Sequence, residues 1–249
     1  MDTGTFVVVH PDAQTLAEAT AARLLITLLD AQSAATPLHV SLTGGTVGVA
    51  VLAAAAKSPV LAAIDWSGVH LWWSDERYLS TGDPERNETQ ARAALLDLLV
   101  AGHGLPAANI HPIPGPDSVS CAEEAARNYA AELASWAESE GWGVPEFDVS
   151  LLGVGSDGHV ASLFPGHPAL NETGTVVAVH DSPKPPSVRV SLTVTGICAS
   201  QEVWFVAAGP EKAEQIAAAL ADDTTVPAAQ ITAQSCTLWL LDVAAADCP

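Results

Sequence analysis

Short runs of β-branched and aliphatic residues recur along the chain, separated by longer alanine-rich stretches whose apolar positions follow a helical period. The runs at 6–9, 38–42, 69–73, 148–152, 176–179, 188–192, 202–207 and 236–240 predict strands, most of them short and strongly apolar. Between them the pattern predicts helices over 12–31, 47–56, 87–100, 118–140 and 210–220, with turn residues at most boundaries and Pro210 suited to a first helical position. Strands alternating with helices in this way predict an α/β fold, a Rossmann-like, mostly parallel sheet flanked by helices on both faces. No repeat or clear linker interrupts the pattern, so residues 1–249 read as a single α/β domain. The stretch 181–187, with Pro183, Pro185 and Pro186, is the best candidate for a surface loop, either a lid or a plain connection.

Composition narrows the partners. The chain has 249 residues, 49% of them hydrophobic, which is ample for a buried core. Nine Lys and Arg against 29 Asp and Glu give a net charge of −20, a field that repels nucleic-acid phosphates and anionic membranes. Neither nucleic acid nor membrane is therefore expected as a partner. The same field repels an anionic metabolite, so a phosphate site must gather several of the nine cations, with backbone N–H groups behind them. Cys121, Cys198, Cys236 and Cys248 lie far apart, form no C-x-x-C pair or zinc spacing, and read as reduced thiols; no metal is expected. With no basic leader ahead of an apolar stretch and no long apolar segment, the expectation is a cytoplasmic protein, a monomer or small homo-oligomer.

In open α/β sheets ligands bind beyond the carboxyl ends of the strands, so residues that directly follow strands carry the most information. Thr43-Gly44-Gly45-Thr46 lies between a strand and a helix. Its glycines let the backbone approach an anion, and the helix start offers unpaired N–H groups, although a tight turn with Thr46 near the cap has the same sequence. Ser74-Asp75-Glu76-Arg77 sets three charges at a strand end, where Arg77 offers a fork for phosphate or an oxyanion and Asp75 or Glu76 can hold it; a solvated loop is the bland alternative. Asn87, with Gln90 three positions later, reads as a helix cap. The loop Gly153-Val154-Gly155-Ser156-Asp157-Gly158-His159 carries a carboxylate and an imidazole on an unusual backbone, which suits acid–base work near neutral pH. Lys212 falls in the first turn of a helix, against the dipole, which an anionic ligand would explain and a snorkelling side chain would not require. Arg189, within a strand, is the remaining cation placed near the pocket. There is no G-x-S-x-G elbow, no H-E-x-x-H and no G-x-G-x-x-G opening a helix.

These residues resemble the 6-phosphogluconolactonase family, part of a fold group with glucosamine-6-phosphate deaminase and ribose-5-phosphate isomerase. The resemblance spans nearly the whole chain. Its signposts are Leu42-Thr43-Gly44-Gly45-Thr46, Asp75-Glu76-Arg77 followed by Asn87, the specific motif Gly153-x-Gly155-x-Asp157-Gly158-His159-x-Ala161-Ser162-Leu163-Phe164-Pro165, Arg189-x-Ser191-Leu192-Thr193, and Gly209-x-x-Lys212. The deaminase pattern reads D-E-Y where this chain has Asp75-Glu76-Arg77, and has a working glutamate where this chain has Phe164, which cannot shuttle a proton. Family members often show Ser-Asn where this chain has Arg86-Asn87; Arg86 is assigned either to the pocket rim or to solvent.

The resemblance implies hydrolysis of 6-phospho-D-glucono-1,5-lactone to 6-phospho-D-gluconate in the oxidative pentose phosphate pathway, with no cofactor and no metal. It implies that the substrate phosphate sits on Gly44, Gly45 and Thr46, held by Lys212 with Arg189 nearby. His159 would act as base and then as acid, oriented by Asp157, and Arg77 or a backbone N–H of the Gly155 loop would meet the oxyanion. Two alternatives remain: a deaminase-like isomerase, and a non-catalytic sugar-phosphate sensor, which usually carries a helix-turn-helix that this sequence does not show.

Overall fold

The computed structural model describes residues 4–137 and 141–247. Six strands form one parallel sheet in the order β1 (Gly4–His10), β9 (Cys236–Asp242), β8 (Glu202–Ala207), β5 (Val149–Gly153), β2 (Leu38–Leu42) and β3 (Val69–Trp73). The expected α/β architecture is present, a six-stranded parallel sheet with helices around it. Helices α1 (Ala13–Gln32) and α2 (Gly45–Ala55) pack on each other and on the sheet. Asp12 caps α1, its carboxylate accepting from Thr15 N at 2.7 Å.

The two strands at 176–179 and 189–192 do not join the large sheet. As β6 (Val176–Val179) and β7 (Arg189–Leu192) they form a separate antiparallel sheet with β4 (Asp75–Arg77), in the order β4-β7-β6. The three charged residues at 75–77 carry no strand signal of their own. They form a strand because β7 supplies the hydrogen-bonding partner, pairing Arg77 with Arg189 and Asp75 with Ser191.

The helix expected from residue 87 is present in three pieces: α3 (Asn87–Ala91), a π-wound segment Arg92–Leu96, and α4 (Asp97–Gly102). Helix α5 (Ala122–Ser135) is shorter than expected at both ends, and residues 138–140 of that expectation lie outside the described part. It is tied to β3 by Tyr129, whose hydroxyl accepts from Trp73 N at 2.9 Å and donates to Trp73 O at 3.1 Å. Two short helices, α6 (Val194–Cys198) and α8 (Val243–Ala246), were not foreseen, while α7 (Ala213–Leu220) follows a single 3₁₀ turn over Pro210–Lys212. Among the described residues no helix is long and apolar enough to cross a membrane.

The strand order reverses between β2 and β5: from β2 the chain goes outward to β3, and from β5 it goes the other way through β8 to β9. This is the crevice where ligands settle in open parallel sheets. Only Val40↔Val149 and Ser41↔Ser150 pair across it. Beyond them the link is Gly153 N donating to the Thr43 hydroxyl at 3.3 Å, so the loops after the two strands flank an opening.

Candidate active site

A cavity of about 320 Å³ opens there, lined by the turn after β2, β4, the loop after β5 and the turn after β8. Gly44, Gly45, Thr46, Arg77, His159, Arg189 and Lys212 all line it, and Asp157 reaches it through His159. Four of the chain's nine Lys and Arg converge on this opening: Arg77, Lys184, Arg189 and Lys212. In a chain of net charge −20 that concentration is what a site for an anion would require.

Helix α2 begins two residues earlier than expected, at Gly45, with Gly44 as its cap and no side chain bonding its first N–H groups. Gly44 has to be glycine, since a Cβ there would meet Asn87 Oδ1 at 1.8 Å. Lys212 stands at the start of α7 across the opening. Burial pushes its ammonium down from the ordinary lysine value and Lys184 adds like-charge repulsion, against the pull of Glu211 and Asp242.

His159 Nδ1 lies 2.5 Å from Asp157 Oδ1, which makes Nδ1 the protonated nitrogen of the neutral ring and leaves the Nε2 lone pair free. Burial by itself would raise the Asp157 carboxyl. The hydrogen bond and charge of His159, followed by those of Lys184, outweigh it and hold the group well below the usual carboxylate range. Gly155 makes the pair possible, because a Cβ there would fall 2.0 Å from His159 Nδ1. Phe164 packs under the imidazole, ring centroids 4.5 Å apart, and is buried. Of the backbone N–H groups of the Gly155 loop expected as oxyanion donors, that of Gly155 itself is already spent, donating to the His159 carbonyl at 2.9 Å. Arg77 remains open: its Nη1 donates to the Glu85 carbonyl, while its buried Nε has no partner.

Several side chains do other work than expected. Neither Asp75 nor Glu76 holds the Arg77 guanidinium. Asp75 Oδ2 accepts from Ser162 Oγ at 2.7 Å and lies 3.9 Å from Arg189 Nη1. Glu76 caps α3, accepting from Asn87 N at 2.7 Å and Glu88 N at 2.8 Å. Burial pushes Glu76 up to about 7, against Arg86 and the backbone donors that favour its charge. Asn87 therefore is not a cap. Its Nδ2 donates to the Asp75 carbonyl at 2.8 Å, which turns a buried, partnerless Oδ1 toward Gly44 at the cavity wall. Arg86 points neither to the rim nor to solvent: it is buried, donating to the Leu79 and Ile113 carbonyls at 2.9 and 2.7 Å and to Glu88 at 3.2 Å.

Lys184 was missed. The sequence reading noticed its loop for prolines alone, yet its Nζ lies 3.2 Å from Asp157 Oδ1 and 3.3 Å from His159 Nδ1. The scarcity of cations was the signal that would have found it. Arg189 does line the cavity, but its N–H groups go to the Pro186, Lys184 and Pro185 carbonyls at 3.2, 3.1 and 3.1 Å and to Ser162 Oγ at 3.4 Å.

Residues 11–239 match the family model described as glucosamine-6-phosphate isomerases/6-phosphogluconolactonase. The chain belongs to that family. Within it, the chain is 51% identical over 246 residues to a 6-phosphogluconolactonase of Streptomyces coelicolor, covering 96% of this chain and 93% of the relative. It is 43% identical over 239 residues to one of Mycobacterium tuberculosis, covering 94% of each. Among solved structures of the family, the 6-phosphogluconolactonase of Trypanosoma brucei superposes with a TM-score of 0.82 at 26% identity, covering 98% of each chain.

Proposed function

We propose that this protein hydrolyses 6-phospho-D-glucono-1,5-lactone to 6-phospho-D-gluconate in the oxidative pentose phosphate pathway. One observation carries the reading: a carboxylate-oriented imidazole, with its Nε2 lone pair free, sits in a cavity of about 320 Å³ that gathers four cations from a strongly acidic chain. That volume suits a small phosphorylated metabolite, since ligand sites typically span about 300–1,000 Å³. A relative that shares half of this sequence bears the same activity in its name.

The phosphate rests on the uncapped start of α2, at Gly44, Gly45 and Thr46, and is neutralised by Lys212. This fixes the lactone with its carbonyl toward the loop after β5. Water attacks the carbonyl carbon while His159 Nε2 takes its proton, and Asp157 stabilises the imidazolium that forms. Negative charge grows on the carbonyl oxygen and is met by the Arg77 guanidinium, which lines the cavity. As the tetrahedral species collapses, the bond from carbon to ring oxygen breaks and the imidazolium gives its proton to that oxygen. His159 returns to neutral, and 6-phosphogluconate leaves.

Phe164 under His159 favours hydrolysis over the deaminase reaction. Ring opening, isomerisation and amine loss need further proton carriers, and an apolar ring cannot be one. The test supplies freshly prepared lactone and follows acid release above the spontaneous rate, with ammonia release from glucosamine 6-phosphate as the control. Acid release is the expected result; ammonia release with no lactone hydrolysis overturns the reading.

A further inference from the structure

We propose that Lys184 is a positioning residue for the Asp157–His159 pair, and that Arg189 acts through it by clamping the loop that carries it, rather than by gripping the phosphate. The Lys184 ammonium donates to Asp157 Oδ1 at 3.2 Å and lies 3.3 Å from His159 Nδ1, whose own proton points to the same carboxylate. None of its hydrogen bonds goes to the Gly44–Thr46 turn. Asp157 is a third exposed, and without Lys184 its carboxylate would be held only by the imidazole and by a long bond from the His159 N–H at 3.4 Å, which leaves it room to turn. A cation on the same oxygen removes that freedom and fixes the direction in which Nδ1–H is held.

The ammonium reaches this point because its backbone is held at both sides. Ser182 N donates to the Ser187 carbonyl at 2.9 Å, closing the loop at its neck, and Ser182 Oγ donates to the Lys184 carbonyl at 2.8 Å. From below, the Arg189 guanidinium takes three successive carbonyls, those of Lys184, Pro185 and Pro186. Its remaining contacts are Ser162 Oγ and, at 3.9 Å, the Asp75 carboxylate, both buried. A guanidinium has five N–H groups. With four contacts made to the protein, Arg189 has to release the loop before it can offer a two-pronged grip to phosphate.

The kinetic arm of the test rests on the hydrolase reading, and the spectroscopic arm does not. Lys184→Met is expected to lower kcat by about 10- to 100-fold with KM changed less than about threefold, and Lys184→Arg to recover part of the loss. Arg189→Met should lower kcat similarly in the native background but by less than about twofold in the Lys184→Met background, since residues that act through one another are not additive. Without any substrate, the His159 Nδ1–H proton resonance should move in Lys184→Met protein that keeps the native urea midpoint. The proposal is overturned if Lys184→Met leaves that resonance and kcat unchanged. It is equally overturned if either variant acts mainly on KM and on discrimination between phosphorylated and unphosphorylated lactone, or if the two losses multiply. If Arg189→Met does not fold, the Lys184 variants still decide the first half and Arg189→Lys, which keeps the charge but cannot span three carbonyls, decides the second. A moved resonance in a protein inactive on the lactone would sink the hydrolase reading and leave the positioning role standing.

Discussion

Strands β2 and β3 run side by side, and imidazoles occur near both ends of the pair, but they are put to opposite uses. At the amino end His39 and His70 face each other in register, with ring centroids 5.1 Å apart. His39 accepts from Trp72 Nε1 at 3.1 Å, His70 Nδ1 bonds His111 Nε2 at 2.9 Å, and Trp136 lies over the group, 4.2 Å from His70. Burial, with the neighbouring imidazoles adding to it, pushes His39 and His70 down to about 4. They are neutral, dry and packed. At the carboxyl end the backbone opens into glycine turns, and His159 has a carboxylate on one side and a cavity on the other. An imidazole surrounded by other imidazoles becomes core, whereas one given an anion and an opening has the setting that a proton carrier needs.

The sharpest way to break this contrast is His159→Ala, expected to cost roughly 10²–10⁴-fold in kcat with the inhibition constant of 6-phosphogluconate little changed. Equal losses from His39→Phe or His70→Phe in folded protein would erase the distinction. Next in size is the acid response. Because the folded values of His39 and His70 lie below the ordinary 6.5, the unfolded chain binds more protons between about pH 6.5 and 4. Their contribution is therefore present above pH 6.5 and lost as pH falls through 4. On the order of 2–4 kcal/mol should disappear from the unfolding free energy across that window, and urea titrations at stepped pH would show a shallower slope in a doubly substituted protein. Lys212→Ala should raise KM about tenfold and blur discrimination between phosphorylated and unphosphorylated lactone while kcat holds; a change confined to kcat would remove Lys212 from the phosphate. The smallest effect belongs to Trp136→Ala, about 1 kcal/mol of stability from lost ring contacts, with kcat unaffected.

Sequence periodicity revealed the parallel sheet well, because buried strands such as Leu38–Leu42, Val69–Trp73 and Glu202–Ala207 are written as compact apolar runs. It revealed the acid–base loop for a different reason, since three glycines, a carboxylate and an imidazole within seven residues have no packing explanation. What escaped it depends on partners distant in the chain. β4 is a strand only because β7 pairs with it, and Asn87 looks like a cap until Glu76 is seen to do the capping. Lys184 becomes significant only once folding carries it 27 positions back along the sequence to Asp157. The π turn at Arg92–Leu96 left no mark in the apolar pattern.

The pairing of Arg77 with Arg189 across β4 and β7 has a consequence for engineering. Two like charges directly opposite on neighbouring strands oppose folding when no anion lies between them. The Asp75 carboxylate, 3.9 Å from Arg189, offsets the Arg77 charge only in part, so the protein carries local frustration beside its candidate site. A library screened for melting temperature alone would favour a neutral side chain at one of these positions, and its best survivors would be sturdy proteins lacking either the cation proposed to meet the oxyanion or the clamp on the Lys184 loop.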